Sequence, residues 1–191
     1  MILKKLSFIR PNSSLIKVVL FLFLFCGILQ LQCRKQDRGF QMNYISTPNT
    51  QFDIAIGLDP FASHFYPEPV SSDTSLYFTA NNVTAKQLGR ITPYTMYLRA
   101  VYQDGSYDFV SNVEVTIFDP TRPNLTEQII FYNDNVAVST GTQITLIPND
   151  VDVTPFLVQG KTFGIRIRIR LRDVPQRTII TGWNMAFFAR Y

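Results

Sequence analysis

Between Phe163 and Arg172 the chain alternates without a fault. Phe163, Ile165, Ile167, Ile169 and Leu171 form one series, and Arg166, Arg168, Arg170 and Arg172 fall in the other. A period of two puts each series on its own face of an extended strand, whereas a helix would scatter both around its axis. Isoleucines opposite arginines require a packed face and a wet one. This segment therefore demands a half-buried β-sheet, and the rest of the chain must supply the other strands.

It does so with the same period. Tyr94, Met96, Leu98, Ala100 and Tyr102 alternate with Thr95, Tyr97, Arg99 and Val101. Val113, Val115 and Ile117 alternate with Glu114 and Thr116, and Ile144 and Leu146 mark a further strand over Gln143–Ile147. The run Ile179–Tyr191 is largely apolar on both faces, which predicts a central strand. Turn signals separate these runs: Asp104-Gly105, Asp119-Pro120, Arg122-Pro123, Asn133-Asp134, Gly141 and Gly160. The helix signal is confined to Asn82–Gly89, where Thr84 and Gln87 have capping-box spacing. Leu58–Thr74, with Pro60, Pro67 and Pro69, reads as the longest irregular stretch. The prediction is one all-β domain: an antiparallel β-sandwich, jelly-roll-like, with at most one short helix.

Composition narrows the chemistry. Both cysteines, Cys26 and Cys33, precede residue 34, so the predicted sandwich has no disulfide, thiolate metal site or cysteine nucleophile. The net charge of +4 is a property of the leader. Seven of the eighteen basic residues and one of the fourteen acids lie in residues 1–38, which leaves eleven bases against thirteen acids. Nucleic-acid binding by bulk positive charge is therefore not expected. Within the predicted sandwich neither a G-x-S-x-G elbow, an S-x-x-K pair nor a phosphate-cradling glycine loop is present. No cofactor and no metal is expected.

The first 33 residues read as an address. Lys4, Lys5, Arg10 and Lys17 precede the apolar run VVLFLFLFCGIL, residues 18–29. A spanning helix needs ~20 apolar residues, and a run of this length suits the core of an export signal. The run ends in LQLQCRKQD, residues 29–37. This resembles the lipobox of bacterial lipoproteins, with Leu29 and Leu31 ahead of Cys33 and Gln32 where that family has a small residue. The resemblance implies a signal peptide over 1–32 and Cys33 as the lipidated (palmitate-bearing) first residue of the mature protein. It also implies a tether over 33–50 and a sandwich domain over 51–191. A plain cleaved signal and an uncleaved anchor remain alternatives. Arg34 and Lys35 stand where some surface-exported lipoproteins carry acids, which leaves the side of the membrane open.

Two further resemblances bear on the fold. DVDVTPFLVQGKTF, residues 150–163, is similar to a segment of galactose-binding-like jelly-roll domains. There Asp152 caps a one-turn helix with Pro155 in its first turn. The ending Trp183–Tyr191 resembles the last strand of outer-membrane β-barrels, in which an arginine row would line a lumen. The overall layout resembles small bacterial lipoproteins with one β-sandwich.

The candidate sites follow from these elements. Arg166, Arg168, Arg170 and Arg172 form a possible anion-binding strip, with side chains ~6.6–6.8 Å apart on one face. Equally, they form a solvated face paired with acids such as Glu114 on a neighbouring strand. His64, beside Asp59, Phe65, Tyr66 and Glu68, reads as a hydrogen-bonding loop residue. Asn149, Asp150 and Asp152 read as turn and cap residues before they read as calcium ligands. Trp183 and Tyr94, Tyr97, Tyr102, Tyr107 and Tyr132 read first as core and second as a sugar-stacking platform. The functional expectation is a non-catalytic envelope lipoprotein: a binding or structural module, anchored by lipid in the outer membrane, that meets a glycan, a lipid head group or an envelope protein. A carbohydrate-active or hydrolytic enzyme using the 58–74 loop is the alternative. A small outer-membrane β-barrel is the lesser one.

Overall fold

A computed structural model describes residues 38–71, 74–102, 105–158 and 162–191. The signal peptide, Cys26 and the lipidation position Cys33 lie outside the described residues, as do Asp104 and Gly160.

The described chain is all-β. Its strands are β1 (Gly39–Ile45), β2 (Phe52–Ile54), β3 (Ser63–Ser71), β4 (Arg90–Ala100), β5 (Val110–Phe118), β6 (Gln128–Asn133), β7 (Gln143–Pro148), β8 (Thr162–Leu171) and β9 (Ile179–Arg190). Two helical segments interrupt them, α1 (Thr74–Ala80) and the single turn α2 (Thr154–Leu157). The sheet runs β1-β9-β4-β7-β6-β5-β8-β3, with β2 added on β9. Every pairing is antiparallel.

The pairs nest from the middle of the chain outward: β5 with β6, β4 with β7, β3 with β8, and β1 with β9. Lateral pairings of β4 with β9 and β5 with β8 then close two four-stranded halves. This is the strand order of a jelly roll. The halves, β1-β9-β4-β7 and β3-β8-β5-β6, are joined by a short β6–β7 ladder of Phe131↔Pro148 and Tyr132↔Ile147.

Alternation aims one side chain in two from each half at a common core. Met42, Ile91, Met96, Leu98, Trp183, Met185 and Phe187 come from the first half; Val113, Val115, Ile117, Ile165, Ile167 and Ile169 come from the second. Aromatic rings weld the halves together. Phe187 lies 6.2 Å from Phe131 and 6.2 Å from Phe163, and Tyr44 meets Phe163 edge-on at 5.6 Å. Such edge and tilted contacts add ~0.5–1.5 kcal/mol each beyond the apolar area they bury.

Several expectations need correction. Residues 38–50, read as part of the tether, contain β1, whose Phe40, Met42 and Tyr44 are buried. Leu58–Thr74, read as irregular, contains β3, which pairs with β8 from Ser63↔Arg170 to Ser71↔Thr162. Its prolines are tolerated because β3 is an edge strand, where a missing N–H faces no partner. Asn82–Gly89 holds a 3₁₀ turn, Ala85–Gln87, while the seven-residue helix lies upstream at α1. The capping pair is real, with Thr84 N donating to Gln87 Oε1 at 2.8 Å, but Gly89 and the start of β4 leave no room to extend it. Finally, the interior is apolar and the arginine row faces away from it, the inverse of the barrel lumen that the ending suggested.

Candidate functional site

With the inner faces consumed by the core, chemistry is displayed on the two outer faces. β8 pairs on one side with β3 and on the other with β5, so the arginines gain cross-strand neighbours. Arg166 is opposite Pro67 and Thr116, Arg168 opposite Phe65 and Glu114, and Arg170 opposite Ser63 and Asn112. Arg168 Nη2 donates to Glu114 Oε2 at 2.6 Å. Arg166 Nη1 donates to both carboxylate oxygens of Glu127 at 2.7 Å. The Arg166 guanidinium also sits 5.2 Å from the centroid of the Phe118 ring, within cation–π range. That ring lies across Gly164, where an added Cβ would come within 2.2 Å of it. Glycine is therefore needed at this position for the ring to lie flat.

The first two arginines of the strip are thus ion-paired. Glu114 was foreseeable as a partner from its place on a neighbouring strand; Glu127 was not, because it precedes β6 and reaches across from outside the regular ladder. Arg170 donates to Ser63 Oγ at 3.3 Å and remains exposed. Arg172 leaves the row. It follows the last residue of β8, and its side chain donates to the carbonyls of Val110 and Val136, tying the start of β5 to the β6–β7 connection.

The other outer face is made by β1, β9, β4 and β7, and its centre carries no charge. Gln41 and Asn43 of β1 are exposed and hydrogen-bonded to each other at 2.7 Å. Asn184 of β9 donates to Tyr97 Oη of β4 at 2.7 Å, and Thr95 and Thr145 lie on the same side. Towards the end where Arg38 enters, this face opens into a cleft of about 460 Å³ lined by Thr92, Pro93, Tyr94, Pro148, Asn149, Asp150, Phe188 and Arg190.

Tyr94 reaches that cleft because of a β-bulge. β4 and β9 run in register at Pro93↔Phe187 and resume at Thr95↔Ala186, so Tyr94 is the extra residue. Simple alternation places Tyr94 inward with Met96 and Leu98; the bulge turns it out, and it is 53% exposed. Its ring lies 6.1 Å from that of Phe188 at an angle of 41°. Phe188 in turn spreads over Gly39, where a Cβ would come within 2.5 Å of its ring. Asp150 closes the cleft on the polar side, 3.0 Å from Arg90. Asn149 is held by its Nδ2 on the Ile129 carbonyl at 2.9 Å.

The remaining candidates have structural partners. Asp152 Oδ1 accepts from Thr154 N at 2.9 Å and from Thr154 Oγ1. Pro155 lies in the first turn of α2 as expected, but the N-cap is Val153, so Asp152 stands one residue ahead of the capping position the sequence implied. Among the described residues no group of three His, Cys, Asp or Glu side chains is placed to hold a metal ion. His64 lies in β3, its Nε2 2.8 Å from the Asp59 carbonyl oxygen. Glu68 lies on the same side of that strand, and burial raises its carboxyl above the ordinary range. Trp183 is core, 2% exposed, with Nε1 donating to Thr50 O at 3.0 Å. Tyr107 is buried too, its phenol raised by desolvation and bonded to Thr181 Oγ1 at 3.0 Å. Tyr102 is exposed beyond the end of β4.

Asp119 is an acid whose importance the sequence did not reveal. It is buried, and its carboxylate accepts from Thr121 Oγ1 at 2.7 Å, Thr121 N at 2.8 Å and Arg122 Nε at 2.6 Å. The Thr121 hydroxyl and Arg122 hold its pKa down to about 2. Arg122 then donates to Pro155 O at 2.6 Å, so this turn pins α2.

No helix of the described residues is long and apolar enough to cross a membrane. No family model matches the chain, and no curated protein does. A solved structure named for turnip yellow mosaic virus is similar over 82% of this chain and 95% of that one, at 12% identity and a TM-score of 0.26. A likeness that slight carries no argument.

Proposed function

We propose that this chain is a cell-envelope lipoprotein of the outer membrane: a non-catalytic binding or structural module held there by acyl chains on Cys33. The observation that carries this reading is where the fold takes up the chain. Arg38 accepts a hydrogen bond from Tyr191 N at 2.9 Å and β1 begins at Gly39. Five residues from Cys33 to Arg38 span at most about 18 Å, so an anchor at Cys33 keeps this end of the sandwich close to the bilayer. Two acyl chains, at ~0.8 kcal/mol per buried CH₂, suffice to hold such a domain.

Binding fits better than catalysis because four acids near the outer faces are already engaged. Glu114 and Glu127 hold Arg168 and Arg166, Asp150 holds Arg90, and Asp119 holds Arg122. A general acid or nucleophile needs a carboxyl free to change partners. The test is radiolabelled palmitate incorporation in the producing cell. Label in the wild type and none in Cys33→Ala is expected. An unlabelled wild type, or equal label in both, overturns the anchor.

A further inference from the structure

We propose that the cleft between Tyr94 and Phe188 is a binding site for an uncharged sugar ring of an envelope glycan. This rests on the reading of the chain as a binding module and names the class of its ligand.

Three observations converge on this cleft. The first is the bulge at Tyr94. A large aromatic that alternation would bury is turned into solvent by an inserted residue, and bulges characteristically re-aim a side chain at a site. The second is the fixing of the opposite wall. Phe188 can lie flat across β1 only because residue 39 is glycine. Two rings set 6.1 Å apart at 41° therefore stand as a preformed apolar corner. The C–H faces of a pyranose pack on such rings, while its hydroxyls need planar, bidentate-capable polar groups at the rim. The third observation is that rim. Asn149, Asp150 with Arg90, and Arg190 supply amide, carboxylate and guanidinium groups around the rings. The cleft volume of about 460 Å³ falls within the ~300–1,000 Å³ of small-molecule sites.

Charge selects the sugar. Beyond the cleft the face continues through the uncharged Gln41–Asn43 and Asn184–Tyr97 pairs before it reaches Arg99 at the far end of β4, and at the rim Asp150 is already neutralised by Arg90. This matches the surface of a neutral saccharide, whereas the arginine row of β8 lies on the other face of the sandwich.

The experiment is equilibrium binding of the purified full chain, in detergent, to neutral trisaccharides of glucose, galactose, mannose and N-acetylglucosamine, with uronic-acid and sialylated oligosaccharides as the acidic arm. At least one neutral trisaccharide binds, Tyr94→Ala weakens it tenfold or more, and Tyr94→Phe retains most of the affinity. Arg168→Ala, on the opposite face, leaves it within twofold. Far-ultraviolet circular dichroism of each variant separates lost binding from lost fold. Binding confined to acidic sugars, or an affinity indifferent to Tyr94→Ala in a folded variant, overturns the assignment. Retention on isolated cell envelopes separates the two readings. If no sugar binds but Cys33-lipidated protein is retained through an Arg170-dependent contact, the sugar site falls and the module stands. If neither sugar nor envelope retains it, both fall.

Discussion

The two outer faces of the sandwich share a hydrogen-bonding scheme and a core, yet they solve the problem of a wet sheet differently. On β3, β8 and β5, arginines stand across from Glu114 and beside Glu127, and Arg166 and Arg168 are each held by an acid. On β1, β9 and β4, amides and hydroxyls bond to one another and charge is absent from the centre. Each face also carries one ring laid over a glycine, Phe118 over Gly164 and Phe188 over Gly39. On the charged face Arg166 stacks on the ring and so occupies it. On the neutral face the ring is matched only by Tyr94, and a cleft remains. A paired face satisfies itself, while the neutral face keeps aromatic surface and polar rims open to a ligand.

The comparison is easiest to break at the core that both faces share. Phe187→Ala should cost about 3–5 kcal/mol by urea unfolding, because Phe187 touches Tyr44, Phe131 and Phe163 and leaves a cavity behind. A loss under ~1 kcal/mol would mean that the halves do not depend on a common core.

The acids at the shared end of the two faces come next. Asp119→Asn should lose about 1–3 kcal/mol, since several charge-assisted hydrogen bonds go with the buried carboxylate. Asp150→Asn, whose side chain is 85% exposed, should lose no more than ~1 kcal/mol. The same contrast appears in acid. The folded pKa of Asp119 is depressed to about 2, below the ordinary carboxylate value. Its contribution is therefore full above about pH 4 and disappears as pH falls through about 2. The wild type should lose stability faster than Asp119→Asn over that window, and parallel curves would count against the buried pair.

Smaller effects distinguish the faces themselves. A double-mutant cycle on Glu114 and Arg168 should give a coupling of ~0.2–1 kcal/mol that shrinks at 1 M salt. The Asn184–Tyr97 pair, being uncharged, should couple without salt dependence. The smallest change expected is Tyr94→Ala, within ~0.5 kcal/mol of wild-type stability because the ring is exposed. A large destabilisation there would make Tyr94 a packing residue and remove the rationale for the cleft.

Much of the sheet was legible because alternation is local. Each of β5, β7, β8 and β9 carries its own period of two, and β9, apolar on both faces, proved central. Of the four missed strands, β1, β2, β3 and β6, the first and third are instructive. β1 is seven residues long behind a charged, turn-rich approach, and β3 contains Pro67 and Pro69. Both are edge strands, and an edge needs only one partner, so its sequence is under weaker demands. α1 carried no recognised cap, yet it is placed by its partners: Tyr77 Oη bonds both backbone groups of Asn43, and Phe78 meets Phe40 edge-on at 6.1 Å.

The pattern of hydrophobic residues by itself determined that this chain forms antiparallel strands around one cysteine-free core, with arginines on a wet face, because side-chain direction along a strand is fixed by period two. Only the tertiary structure decided which strands meet, and with that the outcome for each face. Glu127 reaches Arg166 from outside the ladder, and a single inserted residue opposite β9 sends Tyr94 outward instead of in. Both depend on register between segments nearly forty to more than ninety residues apart, and no local pattern encodes register at that distance.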